Sequence, residues 1–275
     1  MAPSLPPIRP EDEVVAEKLR PHGAFDPRDD EPHAAARTEV LLRLGDDALV
    51  LGQRVSEWCG HGPVLEVDIS LANLALDLVG QANLLLNEAG DGDKLAFHRD
   101  VLDFRNCLLV EQPNGDFAQT IARHLLYTTW QHMMLQRLTQ SSDKFLSEFA
   151  HKAVKEVAYH RELAADWTIR LGDGTDESTR RMAEGLDWNW RFVPELFDVD
   201  EVLQAAIDAG IAPDPREFEE EFRSAIAAVL ADAKLPVPPD QRAILGGRRG
   251  HHSEHLGHLL AVMQFLPRTY PDATW

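Results

Sequence analysis

Apolar residues recur along this chain at spacings of three and four, from about Asp46 to the C-terminal region. That spacing is the period of an amphipathic helix, whereas a half-buried strand alternates apolar and polar residues. The sequence contains no convincing alternating stretch of Val, Ile and Thr. Helix-ending glycines and turn motifs divide the chain into predicted helices at 46–60, 68–89, 94–111, 116–140, 143–171, 176–209, 214–234 and 252–266.

The length of these segments predicts a helical bundle. A helix over residues 116–140 would be roughly 37 Å long at 1.5 Å per residue, which is the length of a bundle helix. Four such helices suffice for a bundle core, and the segments after residue 176 would pack outside it or across one end. We therefore predict an all-α fold, a four-helix bundle with additional peripheral helices.

The first 44 residues differ from the rest of the chain. They are rich in Pro, Asp, Glu and Arg and contain few apolar anchors. We predict a flexible acidic N-terminal arm over 1–44, which becomes helical near EPHAAARTEVLLRLG. The remainder, 45–275, is expected to form a single helical domain.

Composition narrows the class of protein. The chain has 44% hydrophobic and 27% charged residues, as ordinary soluble globular proteins do. No apolar run reaches the roughly 18 residues of a membrane-spanning helix, and the N-terminus does not resemble a secretory signal. The net charge of −19 repels nucleic acid and anionic lipid. We expect a cytoplasmic protein that binds no nucleic acid and no membrane, with Cys59 and Cys107 in its core.

One predicted helix carries a candidate metal ligand. The segment ANLALDLVGQANLLL is apolar on nearly every side, yet Asp77 lies at its centre with Asn73 one turn before it and Gln81 one turn after. A carboxylate inside an apolar helix is costly unless it is paired, hydrogen-bonded or bound to a metal. Oxygen-activating di-iron bundles use such positions, with a Glu from each of two helices and a Glu-x-x-His pair from each of two others.

The Glu-x-x-His spacing provides a test, because positions i and i+3 share one helix face. In the second bundle helix the carboxylate is Asp77, and Gly80 stands where the histidine is needed. In the fourth the carboxylate is Glu156, and Tyr159 stands at the histidine position. We predict that these four residues, with Glu57 on the first helix, are degenerate ligand positions that hold no metal.

His160 keeps a second interpretation open. It shares a helix face with Glu156 at i, i+4, so Glu57, Asp77, Glu156 and His160 are candidates for a mononuclear metal site. The chain would then be a metal-dependent oxidase or oxygenase in its own right. The competing and favoured interpretation is a ladder of ion pairs and hydrogen bonds through Lys152, Glu156 and His160.

The third bundle helix offers Arg123 and His124 among its polar residues. An arginine beside a ligand position disfavours a metal cation, because it supplies positive charge where the metal would bind. We predict that the line at Asp77 is the remains of a ligand set, now filled by Arg123 or Lys152. Asp77 facing solvent or a partner is the other possibility.

Two further motifs lie near the C-terminus. In HHSEHLGH, His255 lies at zinc-binding spacing from both His251 and His258, but no further ligand is evident. The favoured interpretation is the polar start of the last amphipathic helix. GGRRGHH is a candidate basic patch for a partner or a phosphate. The aromatic segment DWNWRFVPELF is either core or an interface anchor.

Long stretches of the sequence resemble one known family. They are SEWCGHGPVLEVDISLANLALDLVGQANLLL, LLVEQPNGDFAQTIARHLL, KEVAYHRELAADWTIRLGDGTDES, RFVPELFD and SEHLGHLLAVMQFLPR. These are similar to the C subunits of phenylacetyl-CoA 1,2-epoxidases, which are bacterial multicomponent oxygenases. The resemblance runs from about Asp46 to Arg268 and leaves the arm over 1–44 outside.

The resemblance implies a ferritin-like fold and a non-catalytic, structural role beside a homologous subunit that carries a di-iron centre. It implies a complex that uses O2 and electrons from NADPH, delivered by a reductase with FAD and an iron–sulfur cluster, to epoxidise phenylacetyl-CoA in phenylacetate breakdown. It carries over no catalytic or cofactor-binding residue to this chain. We expect the other epoxidase subunits as partners, and aggregation or a homodimer when the chain is alone. A helical binding module for an unrelated partner is a further alternative.

Overall fold

The computed structural model describes residues 31–271 and residue 273, and this part of the chain is helical with no strand. The predicted all-α fold is confirmed. The α-helices are α1 (Glu31–Ser56), α2 (Leu65–Ala89), α3 (Gly92–Phe97), α4 (Leu108–Glu111), α5 (Phe117–Leu138), α6 (Lys144–Gly172), α7 (Asp176–Trp190), α8 (Glu201–Asp208), α9 (Glu219–Asp232), α10 (Glu254–Met263) and α11 (Phe265–Thr269).

The four long helices form the bundle from two hairpins. α1 packs along α2, α5 packs along α6, and α2 also contacts α6. α5 is the most enclosed helix, since every residue from 120 to 135 is buried. α7 lies against α5 and α6, and α8 lies against α1. This is the ferritin-like bundle with peripheral helices that we predicted.

The starts of the second hairpin depend on local capping. Asp116 accepts the backbone N–H of Gln119 at 2.9 Å, and Asp143 accepts that of Leu146 at 2.8 Å. A carboxylate at the N-cap satisfies one of the amide groups that the first helical turn leaves unpaired. The predicted starts of α5 and α6 are therefore correct to within one residue.

α1 begins at Glu31, the first residue of the segment EPHAAARTEVLLRLG where the arm was expected to become helical. It continues without a break into the helix expected at 46–60 and ends at Ser56. The expected boundary between arm and domain, at residue 44, falls inside α1. Val40 and Leu41, on the arm side of that boundary, are buried in the core. Residues 1–30 of the expected arm lie outside the described part of the chain.

The prediction of one continuous helix over 94–111 is wrong. This segment forms α3, a 3-10 helix at Val101–Asp103, an irregular stretch and α4. Two buried carboxylates of α1 explain the break: Asp46 accepts the backbone N–H of Arg105, and Asp47 that of Cys107, both at 2.8 Å. Amides that bond to these distant carboxylates have no need of the helical carbonyl four residues earlier.

The later predicted helices are each divided. After α7, Val193–Phe197 forms a 3-10 helix with Pro194 in its first turn, and α8 begins only at Glu201. Proline favours the start of a helix and removes a hydrogen-bond donor from its interior, which separates α7 from the 3-10 helix and from α8. A second 3-10 helix, Pro215–Phe218, precedes α9, and Gln264 separates α10 from α11.

In the segment 246–252 the side chains of Arg248 and His252 point inward, whereas Arg249 and His251 are exposed, so only part of the predicted basic patch is open to a partner or a phosphate. Arg248 donates to the two carboxylate oxygens of Asp47 at 3.0 and 2.7 Å. His252 donates from Nδ1 to Glu111 at 2.7 Å and from Nε2 to a backbone carbonyl at 3.0 Å. Burial alone would lower the pKa of His252, but the bond to Glu111 raises it above the usual value. An acceptor at each ring nitrogen favours the imidazolium form.

Other predicted features have mixed outcomes. α10 begins at Glu254 with a buried apolar face, as favoured for HHSEHLGH, and both His251 and His258 are exposed. Most of the aromatic segment is core, although Trp188 is 39% exposed. Cys59 is exposed, against expectation, because it lies in the turn after α1.

α2 has the most apolar composition of the long helices. Among the helices of residues 31–271 it is the one long and apolar enough to cross a membrane, judged by length and composition only. In this fold one side of it packs on α1, and 44% of its apolar window is buried. The rest of α2 faces outward.

Candidate functional site

The predicted ligand positions of α2 and α6 meet across the bundle in two hydrogen-bonded pairs. His160 donates from Nε2 to Oδ2 of Asp77 at 3.0 Å, and Gln81 donates to Glu156 at 3.1 Å. His160 is fully buried, whereas the side chain of Asp77 is 42% exposed. Asn73, the first residue of the predicted polar line, is exposed. The line therefore runs from the helix surface into the bundle.

The predicted ladder along α6 forms only in part. Lys152 lies 3.7 Å from Glu156, as the i, i+4 spacing predicts. His160 bonds to Asp77 on the neighbouring helix instead of continuing the ladder. Gln131 of α5 donates to Gln81 at 3.2 Å, so three helices contribute to one polar network.

The buried register of this network lies one residue later than the predicted one. Gly80 is exposed and Tyr159 is 50% exposed, so neither position faces the interior. The buried i, i+3 pairs are instead Leu78 with Gln81, and Val157 with His160. On this face neither helix carries a Glu-x-x-His pair, because Leu78 and Val157 are apolar and His160 is the one histidine of these four positions. That this chain binds no catalytic metal is still a prediction.

A second histidine lies beside His160. His124 of α5 is fully enclosed, and its ring centroid is 5.9 Å from that of His160. In the part of the chain that the structure describes, neither nitrogen of His124 has a hydrogen-bond partner, nor has Nδ1 of His160. Burial lowers the pKa of both rings, and the adjacent His160 and Arg123 lower that of His124 further. Two neutral imidazoles therefore face each other in an apolar setting.

Glu57 and Arg123 belong to a separate cluster. Glu57 pairs with Arg54 at 2.9 Å and accepts a hydrogen bond from Asn114 at 2.8 Å. Arg123 donates to the backbone carbonyl of Gln112 and, at 2.6 Å, to the side chain of Asn114. Its guanidinium is thus used at the loop before α5, and the prediction that Arg123 fills the Asp77 position is wrong.

No metal-binding group is formed by these positions. Across residues 31–271 and 273, no three His, Cys, Asp or Glu side chains come together in an arrangement that could hold an ion. The mononuclear candidate is divided, because Glu57 bonds within the Asn114 cluster and the other three residues lie in the α2–α6 network.

A groove of about 360 Å³ runs outside the network, between α2 and α6. Leu76, Leu84 and Phe149 provide apolar walls. Asp77 opens onto this groove, and Lys152 lies along it. Solvent in this groove can therefore reach Asp77, whereas His160 lies behind it and is fully buried.

Comparison with known proteins identifies the family. The model of the phenylacetic acid catabolic protein family matches residues 24–275. The chain is 47% identical over 244 residues to the C subunit of 1,2-phenylacetyl-CoA epoxidase from Escherichia coli (strain K12), a match that covers 86% of this chain and 98% of that protein. The family match begins about twenty residues before the start expected from the resemblance. This chain therefore belongs to the phenylacetic acid catabolic protein family.

Proposed function

We propose that this chain is the C subunit of a 1,2-phenylacetyl-CoA epoxidase and a structural partner of the homologous subunit that carries the di-iron centre. Its similarity to the Escherichia coli C subunit supports the assignment to the complex. One observation carries the non-catalytic role: Leu78 and Val157 occupy the buried positions where a Glu-x-x-His pattern needs carboxylates.

Apolar residues at these positions change what the site can do. A di-iron centre requires carboxylates to bridge the metals and balance their charge, and Leu78 and Val157 supply neither. The remaining polar groups bond to one another across α2, α5 and α6. Each such hydrogen bond contributes about 0.5–1.5 kcal/mol to stability. The network therefore ties the two hairpins together where a catalytic subunit would hold its metal.

The cofactors are divided between subunits in the same way. We assign the di-iron centre to the partner subunit, and NADPH, FAD and the iron–sulfur cluster to the reductase. This chain then contributes shape and contact surface to the complex, in the cytoplasm. A homodimer or aggregate of the isolated chain is expected when the partner is absent, because the partner normally covers apolar surface.

Iron binding tests this proposal. The full-length chain is loaded anaerobically with Fe(II), desalted and analysed for iron, with the di-iron subunit loaded in parallel as the positive control. We expect close to zero iron per chain and about two per control subunit. Epoxidation of phenylacetyl-CoA should require the control subunit and the reductase together with this chain. Iron retained near two per chain, with epoxidation in the absence of the control subunit, would contradict a structural role.

A further inference from the structure

The side of α2 that faces away from the core is also apolar. Leu65 and Leu76 are 72% and 69% exposed, and Ile69 is 53% exposed. Spacings of four and three form a stripe that packs against another helix. The stripe extends over roughly 27 Å at 1.5 Å per residue. We call it the α2 seam, and it consists of Leu65, Ile69, Ala72, Leu76, Val79 and Asn83.

Gly80 lies beside the seam in the middle of α2. Apart from the backbone of α2 itself, a Cβ added to it would meet no described atom within 4 Å. Glycine destabilises a helix interior relative to alanine, so its presence there calls for a closely approaching neighbour. α1 uses glycine in this way: a Cβ on Gly52 would lie 3.2 Å from the Cβ of Leu78, and one on Gly45 would lie 2.8 Å from Cδ2 of Leu86. Gly80 is a position of the same kind that faces outward.

The groove beside the seam is acidic. Asp77 and Glu156 face it with Lys152 as the one basic residue of its lining. His160 does not offset the charge of Asp77, because burial lowers the pKa of the ring more than the bond to Asp77 raises it. A twofold dimer centred near Leu76 would oppose Asp77 to the same residue of a second copy, and each copy carries a charge of −19. Like charges opposed in this way disfavour self-pairing and favour a partner with a basic side chain here.

We propose that the α2 seam docks a helix of the homologous di-iron subunit, which crosses α2 at Gly80 and places an Arg or Lys side chain against Asp77 and Glu156. The inference rests on the function proposed above. A helix at this position accounts together for the apolar stripe, the outward-facing glycine and the acidic groove. It also accounts for the composition of α2, which is apolar on two sides because it packs on two helices.

The test is calorimetric titration of the full-length chain with the separately purified di-iron subunit. Gly80→Leu fills the space into which the partner helix would pack, and its Cβ would meet no described atom outside the backbone of α2. We expect its dissociation constant to rise about tenfold or more, with an unfolding temperature no lower than that of the wild type. Ala228→Leu, at an exposed position of α9, is the matched control and should bind within about twofold of the wild type.

A second pair of variants tests the stripe itself. Leu76→Glu places a charge at the centre of the seam, whereas Val262→Glu makes a comparable change on α10, where Val262 is 82% exposed. We expect Leu76→Glu to weaken binding by about tenfold or more, and Val262→Glu to leave it within about twofold. Higher salt should weaken wild-type binding, because the contact at Asp77 is between opposite charges.

The possible outcomes separate the two proposals. A wild-type chain that does not bind the di-iron subunit overturns the proposed function. If the wild type binds and both seam variants bind equally well, the docking surface lies elsewhere, whereas the proposed function stands. Self-association that Gly80→Leu abolishes and that an excess of the di-iron subunit does not displace would assign the seam to a second copy. Flotation of the chain with lipid vesicles would assign it to a membrane. If Leu76→Cys resists thiol labelling at that position in the free chain, another part of the chain covers the seam. Each of these last three results overturns the inference.

Discussion

Two polar clusters lie within the helical body, one between α2 and α6 and the other where the segments 104–112 and 246–253 meet α1. In the second, Asp47, Glu111 and Glu195 are each fully enclosed, and each accepts at least two hydrogen bonds. In the first, Asp77 is partly exposed, and the ring nitrogens of His124 have no hydrogen-bond partner within residues 31–271. The carboxylates of the second cluster pair with irregular backbone, although Asn106 Oδ1 and Ser253 Oγ beside them have no partner among the described residues. The α2–α6 cluster instead holds two regular helices that already pair their own amides.

The comparison predicts its largest effect at Asp47. Asp47→Ala removes the partner of the buried Arg248 and of the Cys107 amide. Leaving a buried charge without its partner should lower the free energy of unfolding by about 3–5 kcal/mol. Urea unfolding followed by circular dichroism measures this loss.

Asp77→Ala is the matched control and should cost about 1 kcal/mol or less, because the carboxylate is partly solvated. Equal losses in the two variants would mean that the clusters do not differ in how completely they are paired.

Two histidine substitutions should have different effects on the free energy of unfolding. His252→Leu removes a ring that donates to Glu111 and leaves that buried carboxylate short of a partner, so we expect a loss of about 2–3 kcal/mol. His124→Leu removes two buried nitrogens that have no partner, at nearly constant volume. Replacing an unpaired polar group by an apolar one should leave stability unchanged or raise it by about 1 kcal/mol. Chemical unfolding of both variants at one pH measures the two changes in the free energy of unfolding. A large loss of stability for His124→Leu would point to a bound water or ion at that ring.

The two clusters should also respond oppositely to pH. The pKa of His252 is raised in the folded state, so its contribution to stability is complete below the unfolded value of about 6.5 and is lost as pH rises through the folded pKa. The pKa values of His124 and His160 are lowered, so their contribution is complete above about 6.5 and is lost as pH falls toward the folded values. Unfolding free energies measured between about pH 5 and 9 should flatten on the alkaline side in His252→Asn and on the acid side in His160→Asn. Unchanged slopes in both variants would mean that other groups govern the pH dependence.

The sequence alone predicts helix starts that depend on local caps, but it does not predict a helix break that depends on distant residues. Asp116 and Asp143 cap helices through amides three residues away, so the starts of α5 and α6 were predictable from the sequence. The break at 104–108 depends on Asp46 and Asp47, about sixty residues earlier, and no local pattern reveals it.

The sequence identified most residues of the candidate site but not which side of α2 and α6 faces the core. The sequence singled out Asp77, Gln81, Glu156 and His160, which the fold brings together. The register was wrong because α2 is apolar on two sides, so periodicity alone does not show which side faces the core. On α6 the apolar line containing Val157 includes His160 and excludes Tyr159, and that signal would have placed the histidine correctly. His124 is buried by packing of α5 against its neighbours, which the sequence of α5 does not specify.

The smallest expected effect on stability belongs to Asp77→Asn, and it tests why that residue is exposed at all. The amide oxygen of asparagine can still accept the hydrogen bond from Nε2 of His160, so the free energy of unfolding should change by about 0.5 kcal/mol or less. The substitution removes one negative charge from the groove that we assign to a basic side chain of the partner. We therefore expect association with the di-iron subunit to slow several-fold at low salt and to lose part of its salt dependence, as happens when a charge at the rim of an interface is removed. Glu162→Gln, at an exposed position of α6, makes the same change in net charge outside the groove and serves as the control in stopped-flow association measurements. If both variants slow association equally, the partner senses only the overall charge of the chain, and Asp77 serves His160 alone.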